Sequence, residues 1–251
     1  MNKRSFFIGF VCFCAGVAVA VTVIKAPLTP VSTSKTEIQD RFMVWPQSQF
    51  ILDKGRFVVA YDGRLRIPSW VIEDVTLDDI NGNASRKGHR FHADDVLPSV
   101  VQSQPSDYKG SGFDRGHMVP AGDNKESDKN MKNSFLLSNV APQNRSVNSG
   151  CWVKIEMRVR ALVRIHGRVT AVTGPIFNRE KRDDKTLVQY QLIGDGGVAV
   201  PGAFFKVVFW DHGNEAYIVQ NRPVDPDTPL RDFSTTIEKV ERAAGIVFSE
   251  R

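Results

Sequence analysis

The sequence predicts an α+β domain with a central, mostly antiparallel sheet. Stretches that are typical of strands outnumber those typical of helices. No internal repeat is present, so nothing indicates a solenoid or a propeller. Of the 251 residues, 41% are hydrophobic and 24% are charged, which is ordinary for a globular protein and enough to bury a sizeable core.

The N-terminal segment is apolar. Residues 5–24 carry no charge, and about twenty such residues can span a bilayer as a helix. Residues 1–25 are therefore interpreted as a membrane anchor or targeting segment. A cleaved signal peptide with an A-x-A-like site at residues 18–20, a mitochondrial presequence and a buried core helix remain alternatives. Residues 26–40, rich in Pro, Ser and Thr, predict a linker, and residues 41–251 the folded domain.

Strands are predicted where β-branched and apolar residues lie between turn signals. Residues 56–61 and 67–75 form the first two, separated by the turn signal Asp62-Gly63. Residues 77–87 are polar and residues 91–108 contain prolines without a helical period, so both are expected to be loops. The remaining predicted strands are residues 169–174, 188–193, 204–210, 216–219 and 246–248.

Two helices are predicted. The longer one has an apolar stripe at helical spacing, formed by Trp152, Ile155, Val159 and Leu162. The shorter one starts at a capping box of Thr235 and Glu238, buries Ile237 and Val240, and ends at Gly245.

Charge and cysteine content narrow the class of protein. The formal net charge of +5 favours a polyanionic partner, either nucleic acid or an anionic membrane surface. Cys12 and Cys14 lie in the apolar segment, which leaves Cys151 alone in the folded domain. A disulfide framework within the domain and a zinc site built from four cysteines are therefore excluded.

Groups that could perform chemistry concentrate between Asp114 and Glu156. A histidine such as His117 can take a proton from water near neutral pH. An asparagine oxygen is a hard ligand that suits Mg²⁺, which keeps several waters. An arginine can hold phosphate oxygens with two parallel N–H groups. Such a set is sufficient for metal-assisted hydrolysis of a phosphodiester.

The relation of Asn148 to Glu156 limits how they could share an ion. Asn148 precedes the long helix and Glu156 lies on its second turn. At a rise of ~1.5 Å per residue, a straight helix separates them by about 12 Å along its axis. Unless the chain bends, both cannot bind one ion directly, so Glu156 is expected to act through a water.

These stretches resemble the ββα-metal (His-Me finger) DNA/RNA non-specific endonucleases. DRGH at residues 114–117, LSNVAPQ at 137–143 and NSGCWVKIE at 148–156 follow the family pattern in order. SRK at residues 85–87 adds a likeness to the mitochondrial endonuclease G and exo/endonuclease G group. The resemblance extends over residues 57–248 and implies the ββα-metal nuclease fold.

The resemblance also implies an activity and a set of roles. It implies a Mg²⁺-dependent nuclease, with Mn²⁺ as a substitute, that hydrolyses DNA and RNA and leaves 5′-phosphate ends. His117 resembles the general base, Asn148 the protein ligand of Mg²⁺, and Glu156 the outer carboxylate that holds a metal-bound water. Asn139 resembles the asparagine that orients the site. The candidates for contact with phosphate and nucleic acid are Arg86, Lys87 and Arg115.

Further expectations rest on departures from the group and on the N-terminal segment. The extra C-terminal helical domain of the exo/endonuclease G proteins has no counterpart after Phe248, and Asp114 stands where that group tends to have serine. Mainly endonucleolytic cutting is therefore expected.

Homodimers are common in the family, and no residue decides the oligomeric state. The expected location is mitochondrial, at the inner membrane, with the bacterial envelope or export as the alternative. A catalytically inactive nucleic-acid-binding module of the same fold is the alternative function.

Overall fold

A seven-stranded sheet lies at the centre of the protein in the computed structural model, which describes residues 47–248. The strands are β1 (Gln49–Asp53), β2 (Phe57–Asp62), β3 (Ile67–Thr76), β4 (Asp114–His117), β5 (Val140–Gln143), β6 (Arg168–Ile176), β7 (Arg179–Arg182), β8 (Lys185–Val188), β9 (Leu192–Ile193), β10 (Val198–Ala199), β11 (Ala203–Trp210), β12 (Gly213–Gln220) and β13 (Ser234–Thr235). The sheet has the order β1-β2-β3-β6-β11-β12-β13, and every neighbouring pair in it is antiparallel. The predicted α+β class and sheet type are confirmed.

Helices cover both faces of this sheet. They are α1 (Leu77–Asn81), α2 (Asp128–Ser134), α3 (Trp152–His166) and α4 (Ile237–Ala244). Ala171 of β6 belongs to the apolar cluster under α3, whereas its neighbour Val172 belongs to the cluster that contains Val240 of α4. Because successive side chains of a strand point to opposite faces, α3 and α4 pack on opposite sides of the sheet.

The apolar stripe predicted for the long helix is the face that α3 buries. Each of its four residues is at most 2% exposed: Trp152, Ile155, Val159 and Leu162. The central strand β11 is buried along Ala203 to Val208 because both of its faces are covered. Within that strand Lys206 is 1% exposed, which makes it a charged residue in the middle of the core.

The loop predicted at residues 77–87 begins instead with the helix α1. The Asp79 carboxylate accepts hydrogen bonds from the Thr76 backbone N–H at 2.8 Å and from the Thr76 hydroxyl at 2.6 Å. These bonds fix the first turn of a helix that is five residues long. A helix of that length is too short to show an apolar period.

Three predictions in the second half of the domain were also wrong in detail. The strand expected at residues 188–193 is interrupted, because Tyr190 and its neighbours are exposed and pair with no strand. The strand expected at residues 246–248 is absent, and the Phe248 ring packs instead on Phe209 at 5.6 Å. Helix α4 is capped by Thr236, whose hydroxyl accepts from the Lys239 N–H at 3.4 Å, rather than by Thr235.

The predicted N-terminal anchor and linker lie outside the described residues. Over residues 47–248, none of the helices has both the length and the apolar character needed to cross a bilayer. The anchor at residues 5–24 stays a prediction, as does the start of the domain at residue 41.

Gly82 lies where the end of α1 meets the backbone of a distant segment. A Cβ at Gly82 would lie 2.0 Å from the Lys125 carbonyl oxygen, and that oxygen also accepts from the Ala84 N–H at 3.0 Å. The change Gly82→Ala should push these segments apart and lower the free energy of unfolding by about 1–3 kcal/mol. Urea unfolding measures the change, with the exposed Asn81→Ala as control. A Gly82→Ala variant as stable as the control would contradict the close contact.

Candidate active site

A ββα unit made of β4, β5 and α3 carries the candidate site. β4 and β5 pair antiparallel, and His117 is the last residue of β4. A π-helical turn, Val147–Cys151, leads into α3 and is broken at Gly150, which has φ −117° and ψ −105°. The chain therefore bends between Asn148 and the helix that carries Glu156. The straight-helix separation of these two residues does not apply.

This unit opens onto a cleft of about 1020 Å³. Most of the predicted site residues line it: Arg86, Arg115, His117, Asn148 and Glu156. Asn139 and Lys87 do not. Asn139 is fully buried, and Lys87 is exposed beside the cleft.

The His117 ring is held by two aromatic rings and by no hydrogen bond within residues 47–248. Its centroid lies 4.9 Å from that of Phe91 and 5.2 Å from that of Phe135, which meets it edge-on. Nε2 is buried without a partner, so Nδ1 is the ring nitrogen that can reach the cleft. Burial, together with the positive charge of Arg86, lowers the pKa of His117 to about 4. The imidazole is thus neutral at neutral pH, the form that accepts a proton.

Asn139 fixes the chain that follows His117. Its Oδ1 accepts from the Val119 N–H at 3.0 Å, and its Nδ2 donates to the carbonyls of Val119 and Ser134, each at 2.9 Å. These bonds use the amide inside the core, so Asn139 does not reach the cleft. Asn139 affects the site by holding the backbone of Val119, two residues after His117.

Asn148 is oriented by Asp114, the first residue of β4. The Asn148 Nδ2 donates to Asp114 Oδ2 at 3.0 Å. A carboxylate only accepts hydrogen bonds, so the amide nitrogen must face Asp114 and the carbonyl oxygen must face away from it. That oxygen makes no hydrogen bond with the described part of the chain. The sequence did not indicate this pairing, because the two residues are 34 positions apart.

Glu156 and Arg160 lie on one face of α3, one turn apart. Glu156 makes no hydrogen bond or ion pair within the described residues, and burial, with the negative charge of Asp123, raises its pKa to about 7. Arg160 lines the same cleft and donates to Asp123 Oδ1 at 2.8 Å. Sequence reasoning missed Arg160, although the i, i+4 spacing from Glu156 was a usable signal.

The two predicted arginines differ in how firmly they are held. The Arg115 guanidinium lies 5.7 Å from the Phe91 ring centroid and 5.6 Å from that of Tyr108, and its Nη2 donates to the Pro105 carbonyl at 2.9 Å. Arg86 is exposed and makes no ion pair among residues 47–248. Besides Arg160, the cleft therefore has one guanidinium held by its neighbours, that of Arg115, and one without an ion-pair partner in the described chain, that of Arg86.

The oxygen donors of the cleft fit a hard divalent cation. The Asn148 carbonyl oxygen and the Glu156 carboxylate both line it without hydrogen-bond partners in the described chain. No group of three or more His, Cys, Asp or Glu side chains that could hold a metal occurs over residues 47–248. An ion here would keep most of its ligands as water, which is the habit of Mg²⁺ rather than of zinc.

A buried lysine, Lys206, contacts the segment that follows His117. The Lys206 ammonium donates to the Met118 carbonyl at 3.2 Å and to the Thr173 hydroxyl, and it lies 3.8 Å from Glu73 Oε1. It also lies 5.6 Å from the centroid of the Trp152 ring. Because Met118 directly follows His117, Lys206 connects the sheet to the segment that carries the histidine.

Comparison with known proteins agrees with this architecture. Residues 38–251 match the family model described as DNA/RNA non-specific endonuclease. The chain is 39% identical over 201 residues to "Endonuclease G, mitochondrial" of Bos taurus, which covers 78% of this chain and 67% of that protein. It is 39% identical over 202 residues to "Nuclease EXOG, mitochondrial" of Mus musculus, covering 77% of this chain and only 55% of that protein.

A solved structure has the same fold. It is described as "Crystal structure of the EndoG/EndoGI complex: Mechanism of EndoG inhibition", and it is 36% identical with a TM-score of 0.76. The match covers 81% of this chain and 87% of that one. The predicted ββα-metal nuclease fold is confirmed. The chain therefore belongs to the DNA/RNA non-specific endonuclease family, whose members are metal-dependent nucleases that hydrolyse nucleic acids.

Proposed function

We propose that the protein is a Mg²⁺-dependent, sugar-non-specific nuclease that cuts DNA and RNA mainly endonucleolytically and leaves 5′-phosphate ends. The observation that carries this proposal is the meeting of His117, Asn148 and Glu156 in one cleft. The family supports the reaction class, and the cleft supports the roles of the side chains.

His117 is the general base. Its neutral ring takes a proton from the attacking water through Nδ1, while Phe91 and Phe135 hold the ring plane. A pKa of about 4 keeps the ring unprotonated before substrate arrives. The negative charge of a bound phosphodiester favours the imidazolium, so the base becomes stronger when substrate is in place.

Two arginines bind the phosphate, and Asn139 positions the general base. Arg115 offers a fixed guanidinium to the phosphate oxygens, and Arg86 offers a second one from the cleft lining. Lys87, next to it, adds a contact to the nucleic-acid backbone. Asn139 touches no substrate. It acts by holding Val119, two residues after His117.

Asn148 and Glu156 would hold the metal ion. The Asn148 carbonyl oxygen, turned away from Asp114, is the direct ligand, and Glu156 acts through a water. When bound, Mg²⁺, or Mn²⁺ in its place, stabilises negative charge on the phosphate and on the leaving 3′ oxygen.

The reaction can be tested on substrates without ends. The full-length chain should convert supercoiled plasmid to nicked and linear forms and should cut circular RNA, both only with Mg²⁺ or Mn²⁺. A kinase should label the products only after phosphatase treatment, because 5′-phosphates block labelling. Cutting that persists in a chelator, or direct labelling of untreated ends, would contradict the proposal. Binding to both nucleic acids without cutting would indicate an inactive module.

Asp114→Ala should weaken the metal site without removing a ligand. The Asn148 amide then loses the carboxylate that fixes its orientation. Loss of an outer partner of this kind costs about 10–100-fold in metal affinity. The Mg²⁺ concentration for half-maximal plasmid nicking should rise by that factor, with the rate at saturating Mg²⁺ largely restored. Asp227→Ala, at an exposed position, is the control, and equal Mg²⁺ requirements in the two variants would contradict the role of Asp114.

We infer the domain division and location from the N-terminal segment and the relatives. Residues 1–25 would anchor or target the protein, residues 26–40 would be a linker and residues 41–251 the nuclease domain. Relatives named as mitochondrial support a mitochondrial location, and the charge-free residues 5–24 support attachment to the inner membrane. A fluorescent fusion of residues 1–40 should localise there and resist carbonate extraction. Release by carbonate contradicts the anchor, and export or a bacterial envelope location contradicts the mitochondrial assignment.

A further inference from the structure

We propose that a patch of cations beside the cleft binds the nucleic-acid backbone beyond the scissile phosphate. The patch, named here the α2 patch, consists of Lys87, Arg90, Lys129 and Lys132. This inference rests on the proposed nuclease function and adds a second stretch of substrate contact to it. Its occupant is a run of phosphates in the same strand or duplex that is being cut.

One polar contact joins the two segments that form the α2 patch. His89 Nε2 lies 3.0 Å from Asp128 Oδ1, at the start of α2. The His89 ring also stacks on Phe135, with centroids 5.7 Å apart. The loop with Lys87 and Arg90 is therefore held against α2, so that cations from both segments share one surface.

The lysines of α2 lie on its exposed side. Lys129 and Lys132 are three residues apart on the helix, so they share one face, and Lys132 lies one turn from Asp128. Both side chains are exposed, as are Lys87 and Arg90.

The charges of the α2 patch are uncompensated within the described chain. None of its four cations forms an ion pair over residues 47–248, whereas Arg158 and Arg168 elsewhere on the surface pair with Glu215 and Asp74. The acidic groups close by are engaged with other partners: Asp128 with His89, and Glu126 with Arg56 and Asn130.

The α2 patch adjoins the cleft in sequence at two places. Arg86 and Met131 line the cleft; Arg86 directly precedes Lys87, and Met131 lies on α2 between Lys129 and Lys132. In the proposed path a strand leaves the cleft past Arg86, meets Lys87 and continues along the exposed lysines of α2. Lysine and arginine side chains on a surface contact phosphates without reading bases, which suits a nuclease that lacks sequence preference.

Salt dependence measures such contacts. Each neutralised phosphate of a duplex contributes about −0.9 to the slope of log affinity against log salt concentration. In the full-length chain, the double variant Lys129→Gln/Lys132→Gln should therefore reduce the slope of log kcat/KM against log salt by about two on a long duplex. KM should rise and kcat should not change. A four-nucleotide substrate has few phosphates beyond the scissile one and should be cut as by the wild type.

A matched double variant controls for loss of general charge. Lys181→Gln/Lys185→Gln removes two exposed cations from the β7–β8 hairpin, which contributes no residue to the cleft. It should leave the slope unchanged. The double variant Lys129→Gln/Lys132→Gln is called the α2 variant. If its salt slope equals that of the wild type, the inference is wrong. The nuclease proposal still stands in that case, provided that the wild type cuts nucleic acid. An equal effect of the hairpin variant, or slower cutting of the short substrate, would also overturn the inference.

An anionic membrane is the competing partner for these cations. Vesicles of phosphatidylcholine with phosphatidylserine test it by co-sedimentation. If the α2 variant loses vesicle binding but keeps its salt slope on DNA, the patch serves the membrane and the inference is wrong. If wild type and the α2 variant bind vesicles equally and the salt slope on DNA is smaller in the variant, the inference holds.

Discussion

His117→Ala is expected to lower kcat by about 10²- to 10⁴-fold, the usual contribution of a positioned general base. The fold should survive, because the ring makes no hydrogen bond in the described chain that its removal would leave unpaired. KM should change little, since Arg86 and Arg115 still bind the phosphate. Single-turnover cleavage of plasmid at saturating Mg²⁺ measures the effect.

The pH dependence gives an independent check on the same residue. The pKa of His117 is lowered to about 4, so the active, neutral form dominates above that value and is lost as the pH falls through it. The wild-type kcat/KM, which reports the free enzyme, should therefore show an acid limb near pH 4 that disappears in His117→Ala. His212→Ala, at an exposed turn, is the control. A His117→Ala variant that cuts as fast as this control would end the proposal for the base.

Lys206→Met is expected to lower the free energy of unfolding by about 3–5 kcal/mol, the typical cost of removing one partner from a buried ion pair. Glu73 is 3% exposed and would keep its carboxyl group in the core without the ammonium that now faces it. The Met118 carbonyl and the Thr173 hydroxyl would also lose their donor. Urea unfolding followed by circular dichroism measures the loss.

The loss should grow with pH. Burial, reinforced by Asp123, raises the pKa of Glu73, and Lys206 opposes that rise. Without Lys206 the folded-state pKa lies further above the unfolded value, so the folded state of the variant retains a proton that the unfolded state releases. Its stability is then greatest below the usual glutamate pKa of 4.5 and falls as the pH rises. The double variant Lys206→Met/Glu73→Leu should recover most of the loss, and no recovery would contradict the pairing.

The sequence predicts those parts of the fold that depend on local patterns. The stripe from Trp152 to Leu162 and the apolar run of β11 carry periods that indicate their burial directly. The five-residue α1 has no such period, and its existence depends on the cap made by Asp79. The run at residues 188–193 looks like one strand, but residues 189–191 pair with no strand, so the run is divided between β8 and β9.

The candidate site was predictable as a set of residues but not as an arrangement. Motif spacing indicated His117, Asn148 and Glu156, and the structure places them in one cleft. Asp114 as the orienting partner of Asn148 depends on a contact between distant positions. The bond from Lys206 to the Met118 carbonyl joins residues 88 positions apart, which no local pattern can reveal.

Both backbone polar groups of Met118, the residue after His117, form hydrogen bonds. The Met118 N–H donates to the Asn139 carbonyl at 2.9 Å, and the Met118 carbonyl accepts from a lysine rooted in the central strand. The entropy of placing the base is thus lost when the chain folds and not when a substrate arrives. Binding energy from the nucleic acid is then free to align the phosphate alone, which is the condition for a preorganised catalyst.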